Sequence, residues 1–287
     1  MPEPKLSFVS FGDRSCRGAR QRLAKQARES GYFDSINILA ERDLEKDFRK
    51  RNRDRLTPGS RGFGHFVWKP QVILQALTVL DDGDVLLYAD AGCHIFPGRW
   101  VGMQRYIDLV RNSPSGVLCG ELSFLESAWT KGDLFDFFGV RNAADITDTP
   151  QRIGGVIFLV KSETSMELVR TWLEVCQNHP DLISDAPSQS PNLPGFQEHR
   201  HDQSVLSILS KLRGCSTFSA AEIEKWRQPH DEATMQDFPI EARRDRFSSS
   251  RKFRSRIKSG IAGNSNDFRG DGDVQGSVNW LHLRIND

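Results

Sequence analysis

Three acids in this 287-residue chain stand where an acid can do chemistry. Asp90 ends the apolar run of "LLYADAGC", and two small residues, Ala91 and Gly92, follow at once. A carboxylate carried to the end of a buried strand is drawn into the interior, where it needs a partner. Its blander role is to cap a turn. Asp202 stands beside Gln203 in "HRHDQSVLSIL", at the predicted start of a helix. There it either caps the helix or shares the place with a bound substrate group, because free N–H groups attract anions. Glu121 closes "GVLCGEL" and reads equally as a strand-end base and as a solvated loop acid.

Basic and imidazole groups lie at separations that let them join these acids. Lys69, Arg61 and Arg152 can neutralise a departing anion. Arg152 and Arg200 can equally be salt-bridged surface groups. His94, His201 and His230 can each offer a metal ligand, although His199 and His201, flanking Arg200, also read as surface or capping residues. The Gly-rich "GSRGFG" is neither GxGxxG nor GxxxxGK[ST], so it is not a phosphate loop. With Trp68 it reads as a stacking surface or as a loop tucked over a sheet.

The elements that must position these groups alternate. Strands are expected at Leu6–Phe11, Ser35–Leu39, Val85–Ala89, Gly116–Leu122 and Gly154–Val160. Helices are expected at Arg17–Ser30, from Pro70 onward, at Trp100–Val110, Gly132–Phe138, Glu167–Cys176 and His201–Leu212. Ser162 or Thr164 is expected to cap the helix Glu167–Cys176, with Thr164 and Glu167 spaced as a capping box. Asp185–Glu198, with Pro187, Pro191 and Pro194, reads as an exposed, poorly anchored loop. This pace implies an α/β fold with a mostly parallel central sheet and helices on both faces. Ligands in such folds bind beyond the carboxyl ends of the strands, where Asp90 is placed.

Composition sets outer limits. Hydrophobic residues make up 38% and charged residues 27%, as in a globular chain with a sizeable core. The net charge of +1 gives no sign of a nucleic-acid partner. No apolar run is long enough to span a membrane, and "MPEPKLSFVSFG" lacks the pattern of a signal peptide. Five widely spaced cysteines without CxxC fit neither a disulfide framework nor a thiolate zinc site. A cytoplasmic location is expected.

Four stretches, "FVSFGD", "RGFGHFVWKP", "VLLYADAGC" and "HRHDQSVLSIL", occur in an order that resembles bacterial sugar-nucleotide-dependent glycosyltransferases of the GT-A fold. That superfamily is the nucleotide-diphospho-sugar transferases, and its sheet is Rossmann-related. The resemblance covers roughly residues 5–215. It implies a hexosyltransferase-type enzyme that takes a sugar from a nucleoside-diphosphate donor, UDP above all. The acceptor would be a glycan or a lipid-linked molecule in surface polysaccharide synthesis. It implies that Phe11, Gly12 and Asp13 hold the nucleotide, and that Arg61, Trp68 and Lys69 flank the donor. Asp90, Ala91 and Gly92 would stand at the DxD motif, Gly154 and Gly155 would let the backbone approach the sugar, and Asp202 with Gln203 would face it. Apart from the resemblance, the strand-end position of Glu121 would let it meet the acceptor or act as a base.

The chain departs from the pattern at Gly92, where DxD has its second acid. A single carboxylate holds Mn²⁺ or Mg²⁺ weakly. Two arrangements stay open: a divalent metal on Asp90 helped by His94, His201 or His230, or no metal, with Lys69, Arg61 or Arg152 stabilising the leaving group. Gly92 itself fits a left-handed turn or a close approach.

Residues 1–240 form the expected catalytic domain, and 241–287 a basic, Gly/Ser-rich tail. From Arg243 to Lys258 there are eight basic residues and one acid, a run that is either solvated or touches an anionic membrane surface. Two other functions remain open on sequence alone: a non-catalytic nucleotide- or glycan-binding protein, and a nucleotidyltransferase on a similar sheet.

Overall fold

Apolar side chains alternate along the central strands and sort themselves onto two faces. The computed structural model describes residues 4–224 and 237–245, all within one compact unit, Met1–Ser249. Its strands are β1 (Leu6–Phe11), β2 (Ser35–Leu39), β3 (Val85–Ala89), β4 (Cys93–Ile95), β5 (Val117–Leu125), β6 (Pro150–Val160), β7 (Ser216–Ser219) and β8 (Ile240–Ala242). Six of them form one sheet in the order β2-β1-β3-β6-β5-β7. Val9, Phe11, Leu86, Tyr88 and Ile157 pack on one face against the helices Trp68–Thr78, Glu163–Asn178 and Asp202–Leu212. Phe8, Leu87, Ala89 and Phe158 pack on the other against Arg17–Ser30 and Trp100–Arg111. The expected α/β architecture, with a mostly parallel sheet and helices on both faces, is therefore present.

One strand breaks the parallel run. β6 is antiparallel to both β3 and β5, while β1–β2, β1–β3 and β5–β7 are parallel. The cause lies in the connection. Residues 126–149 form only short helical turns at the carboxyl end of β5, so the chain re-enters the sheet from that same end. The start of β6 is thus delivered to the rim where β3 stops, and the Asp90 N–H donates to the Gly155 carbonyl at 2.9 Å.

Of the two expected caps after β6 the structure uses Ser162, and the helix start and the Pro-rich loop are corrected. The helix after β6 starts at Glu163, capped by Ser162, whose hydroxyl accepts from the Ser165 N–H at 3.2 Å. The Thr164–Glu167 box does not form, because the earlier serine already satisfies the first turn. The segment Asp185–Glu198 is anchored despite its prolines. The Asp133 carboxylate accepts from the N–H groups of Gln189 at 3.0 Å and Ser190 at 2.7 Å, and Asn192 Oδ1 accepts from the Gly132 N–H at 2.8 Å.

The expected boundary at residue 240 falls at the start of β8, which pairs antiparallel with β4. Within the same segment Asp245 forms a buried ion pair with Arg22 at 3.6 Å. Residues 246–258 of the basic run lie outside the described residues. Among the described residues, no helix is long and apolar enough to cross a membrane.

Candidate functional site

Leu86, Tyr88 and Asp90 share one face at successive i, i+2 positions, and that face meets the helix Trp68–Thr78. Lys69, in the first turn of that helix, reaches the same point. Its Nζ lies 3.3 Å from Asp90 Oδ1 and 3.6 Å from Asp202 Oδ2, and it donates to the Gly154 carbonyl at 3.0 Å. Burial pulls the Lys69 pKa down, but Asp202 and then Asp90 outweigh it, so the pKa is raised and the ammonium keeps its charge.

The two carboxylates differ in access. The Asp90 side chain is 43% exposed, against 3% for Asp202. Asp90 is therefore open at the rim rather than buried, and it is the member a ligand would meet. It accepts a short hydrogen bond from the Tyr88 hydroxyl at 2.6 Å. Burial, then Asp90, holds the Tyr88 pKa well above the usual phenol range, so that hydroxyl stays a donor. Asp202 occupies the first turn of Asp202–Leu212 behind His201, so it is not the N-cap. Burial raises its pKa to about 7; Lys69 opposes the shift and Asp90 adds to it. Trp172 Nε1 donates to the Asp202 carbonyl at 3.0 Å and fixes the helix start from below.

The glycines of β6 have assignable roles. A Cβ on Gly155 would lie 3.1 Å from Asp90 Oδ2, so its absence makes room for that carboxylate. The Gly154 N–H donates to Gln203 Oε1 at 3.1 Å, and Gln203 Nε2 donates to Gln151 Oε1 at 2.8 Å. Gln203 is thereby held on the β6 backbone beside Asp202. Lys69, Asp90, Gly154, Gly155, Asp202 and Gln203 form one cluster.

Other predicted residues are placed elsewhere. Phe11 and Trp68 are buried against each other with ring centroids 4.2 Å apart, and Trp68 Nε1 donates to the Gly62 carbonyl at 2.9 Å. Gly12 leaves room for Cys16, whose Cβ would be 2.7 Å from a Cβ there. Asp13 caps the turn Arg14–Cys16. Arg61 is paired with Asp185 at 2.9 Å and Glu198 at 2.7 Å. Glu121 stands in register with Arg152 on β6, and its charge bears on Lys211. His94 lies behind the Asp90 loop, 3.1 Å from Gln26 Nε2 and 3.3 Å from Asp245. His201 Nε2 lies 3.0 Å from Asp185. His230 lies outside the described residues.

Ala91 and Gly92 are explained from the far side of the loop. Arg22 Nη2 donates to the carbonyls of Ala91 at 3.0 Å and Cys93 at 3.1 Å. A Cβ on Gly92 would lie 2.9 Å from Arg244 Cα, inside contact distance. The φ of Gly92 is not positive, so close approach rather than a left-handed turn accounts for the glycine. A second acid has no room there.

The residues at Asp90 do not fit a divalent cation. A metal needs several oxygen ligands, and here one open carboxylate is present, with the Lys69 ammonium and the Tyr88 hydroxyl both on its Oδ1, while the second acid, Asp202, is buried against that same ammonium. Neither His94 nor His201 is directed to it, since each is engaged with another acid.

Sequence reasoning missed Tyr88, Gln151 and Arg22. Tyr88 had a signal, because a tyrosine two residues before a strand-end acid shares its face. Gln151 and Arg22 act through long-range contacts that leave no local mark.

No protein-family profile matches the chain. No curated protein matches its sequence. Among solved structures, mouse xyloside xylosyltransferase 1 in its apo form is similar at 8% identity and TM-score 0.43, over 83% of this chain and 97% of that one. The galactosyltransferase LgtC, solved with donor and acceptor sugar analogs, is similar at 11% identity and TM-score 0.43, over 82% of this chain and 86% of its own. The glycosyltransferase GlyE of Streptococcus pneumoniae TIGR4 is similar at 12% identity and TM-score 0.40, over 76% and 46%.

Proposed function

We propose that the chain is a glycosyltransferase that moves a sugar from a nucleoside-diphosphate donor, UDP-linked in first place, to a glycan or lipid-linked acceptor. The resemblance of its four motifs supports the reaction class, and surface polysaccharide synthesis on the cytoplasmic side is the role that resemblance favours. The observation that carries the reading is the Lys69 ammonium, buried between Asp90 and Asp202 at the carboxyl rim of the sheet.

In this reading Asp90, open and held by Tyr88 and Lys69, accepts hydrogen bonds from donor hydroxyls. Lys69 supplies fixed positive potential toward the diphosphate, where charge grows as the sugar leaves. The bond from the anomeric carbon to the diphosphate oxygen breaks, the acceptor oxygen bonds to that carbon, and the acceptor gives up its proton. Asp90, the open carboxylate, is the acid that proton reaches, and Asp202, buried on the other side of Lys69 with its pKa raised to about 7, can hold a proton at neutral pH and so adjusts the charge that Lys69 offers. Gln203 keeps the start of β6 and the Asp202 helix in register.

A thermal-shift screen tests donor binding, because a ligand that binds only the folded state raises the melting temperature. At least one of the UDP-, GDP-, dTDP- or CMP-linked sugars should raise Tm in metal-free buffer. If none does, with or without Mn²⁺, the donor site is refuted.

A further inference from the structure

Two imidazoles and a carboxylate converge outside the Lys69 cluster. His65 Nε2 lies 3.4 Å from Asp185 Oδ2, and His201 Nε2 lies 3.0 Å from Asp185 Oδ1. All the atoms that could ligate lie within 4.8 Å of one another. The two rings stack with centroids 5.4 Å apart and a 19° tilt, so both nitrogens face the same acid. A tetrahedral zinc ion with bonds of about 2.0–2.2 Å sets neighbouring ligand atoms about 3.3–3.6 Å apart. The two N···O separations, 3.4 Å and 3.0 Å, run to different oxygens of Asp185 and lie near that edge, while the ligand atoms as a set lie within 4.8 Å, so the side chains must draw inward to admit an ion.

We propose that His65, Asp185 and His201 bind one divalent first-row cation of the zinc class, with a fourth position left for water or another ligand. The donor set selects the class. Imidazole suits zinc, whereas magnesium and calcium prefer oxygen ligands throughout. The three residues come from separate segments: the Gly-rich loop before the helix Trp68–Thr78, the Pro-rich segment, and the residue before Asp202. His65 and His201 both hold φ of 53°, a conformation that strains a non-glycine residue. The ion would fasten these segments together one residue from Asp202.

Arg61 is the competitor. Its Nη1 lies 2.9 Å from Asp185 Oδ1, and its Nη2 lies 2.7 Å from Glu198 Oε1. It keeps the Glu198 partner when an ion takes Asp185. The alternative is a hydrogen-bonded His–Asp–His–Arg network that binds no metal.

Cobalt titration of the chelator-treated full chain separates the two. The wild type should bind one equivalent of Co²⁺ with the strong visible absorption of a four-coordinate site, displaced by Zn²⁺. Asp185→Asn and His65→Gln change side chains that are partly exposed and should keep the far-UV circular dichroism of the wild type. Each should weaken Co²⁺ binding by at least about a hundredfold, because even outer partners of metal ligands are worth about tenfold to a hundredfold. Arg61→Gln, which removes the competing cation, should bind as tightly or more tightly. Absence of saturable Co²⁺ binding by the wild type would overturn the proposal. So would unchanged binding in the folded Asp185 or His65 variant, or loss of binding in the Arg61 variant.

Discussion

Asp90 and Asp202 meet across a single ammonium, that of Lys69, at 3.3 Å and 3.6 Å. One acid is open and the other buried, so one positive charge serves both a ligand-facing group and a proton-holding group. Replacing Lys69 by methionine keeps the volume and removes the charge. Loss of one partner from a buried ion pair costs about 3–5 kcal/mol. Urea unfolding of Lys69→Met at pH 8 should show a deficit of about that size, and a smaller one at pH 5, where Asp202 is protonated. Wild-type stability at pH 8 would show that the ammonium is not needed to balance the two acids.

Asp202 makes stability depend on pH with a definite sign. Its pKa is raised from 3.8 to about 7 in the folded chain, so the folded state binds more protons between those values. Its contribution is full below pH 3.8 and fades as pH rises through about 7. Relative to Asp202→Asn, the wild type should therefore lose stability between pH 4 and pH 7. A flat difference across that window would mean that Asp202 ionises as an ordinary acid.

Tyr88→Phe removes only the 2.6 Å hydrogen bond to Asp90. The fold should persist, since the ring stays buried. Turnover should fall by about tenfold, less than for Asp90→Asn, because an orienting donor contributes less than the group it orients. Equal turnover in Tyr88→Phe and wild type would leave that bond without a role.

Gly92→Asp restores the acid that the resemblance leads one to expect. Its Cβ would meet Arg244 Cα at 2.9 Å, and overpacking of this kind costs about 1–3 kcal/mol. The variant should be less stable and should gain no Mn²⁺-dependent donor binding by calorimetry. A stable variant that acquires Mn²⁺ dependence would show that the loop can yield and that Lys69 does not keep a cation out.

What could be read from the sequence follows from how local each signal was. The apolar alternation of Leu86–Tyr88 and the small residues after Asp90 are local, so the strand and its rim position were legible. Lys69 was legible as a cation beside the site, but its place between two acids depends on the packing of the helix Trp68–Thr78 against β3. The antiparallel course of β6 was not legible, because period-two patterning carries no direction. Gly92 could be read only as a question. Its answer lies 152 positions away, at Arg244, a separation at which no sequence pattern operates. His65 and His201 likewise showed no shared purpose until the fold set both against Asp185.

The central claim is that the Asp90 rim handles a nucleoside-diphosphate sugar. Release of nucleoside diphosphate from a panel of UDP-, GDP- and dTDP-linked sugars, measured for wild type and Asp90→Asn, tests it most directly. The change is nearly isosteric at a half-exposed position, so the variant should fold. The wild type should release nucleoside diphosphate from at least one donor, and folded Asp90→Asn should do so about a hundredfold more slowly. No release by the wild type from any donor, or equal rates in the two proteins, would contradict the account.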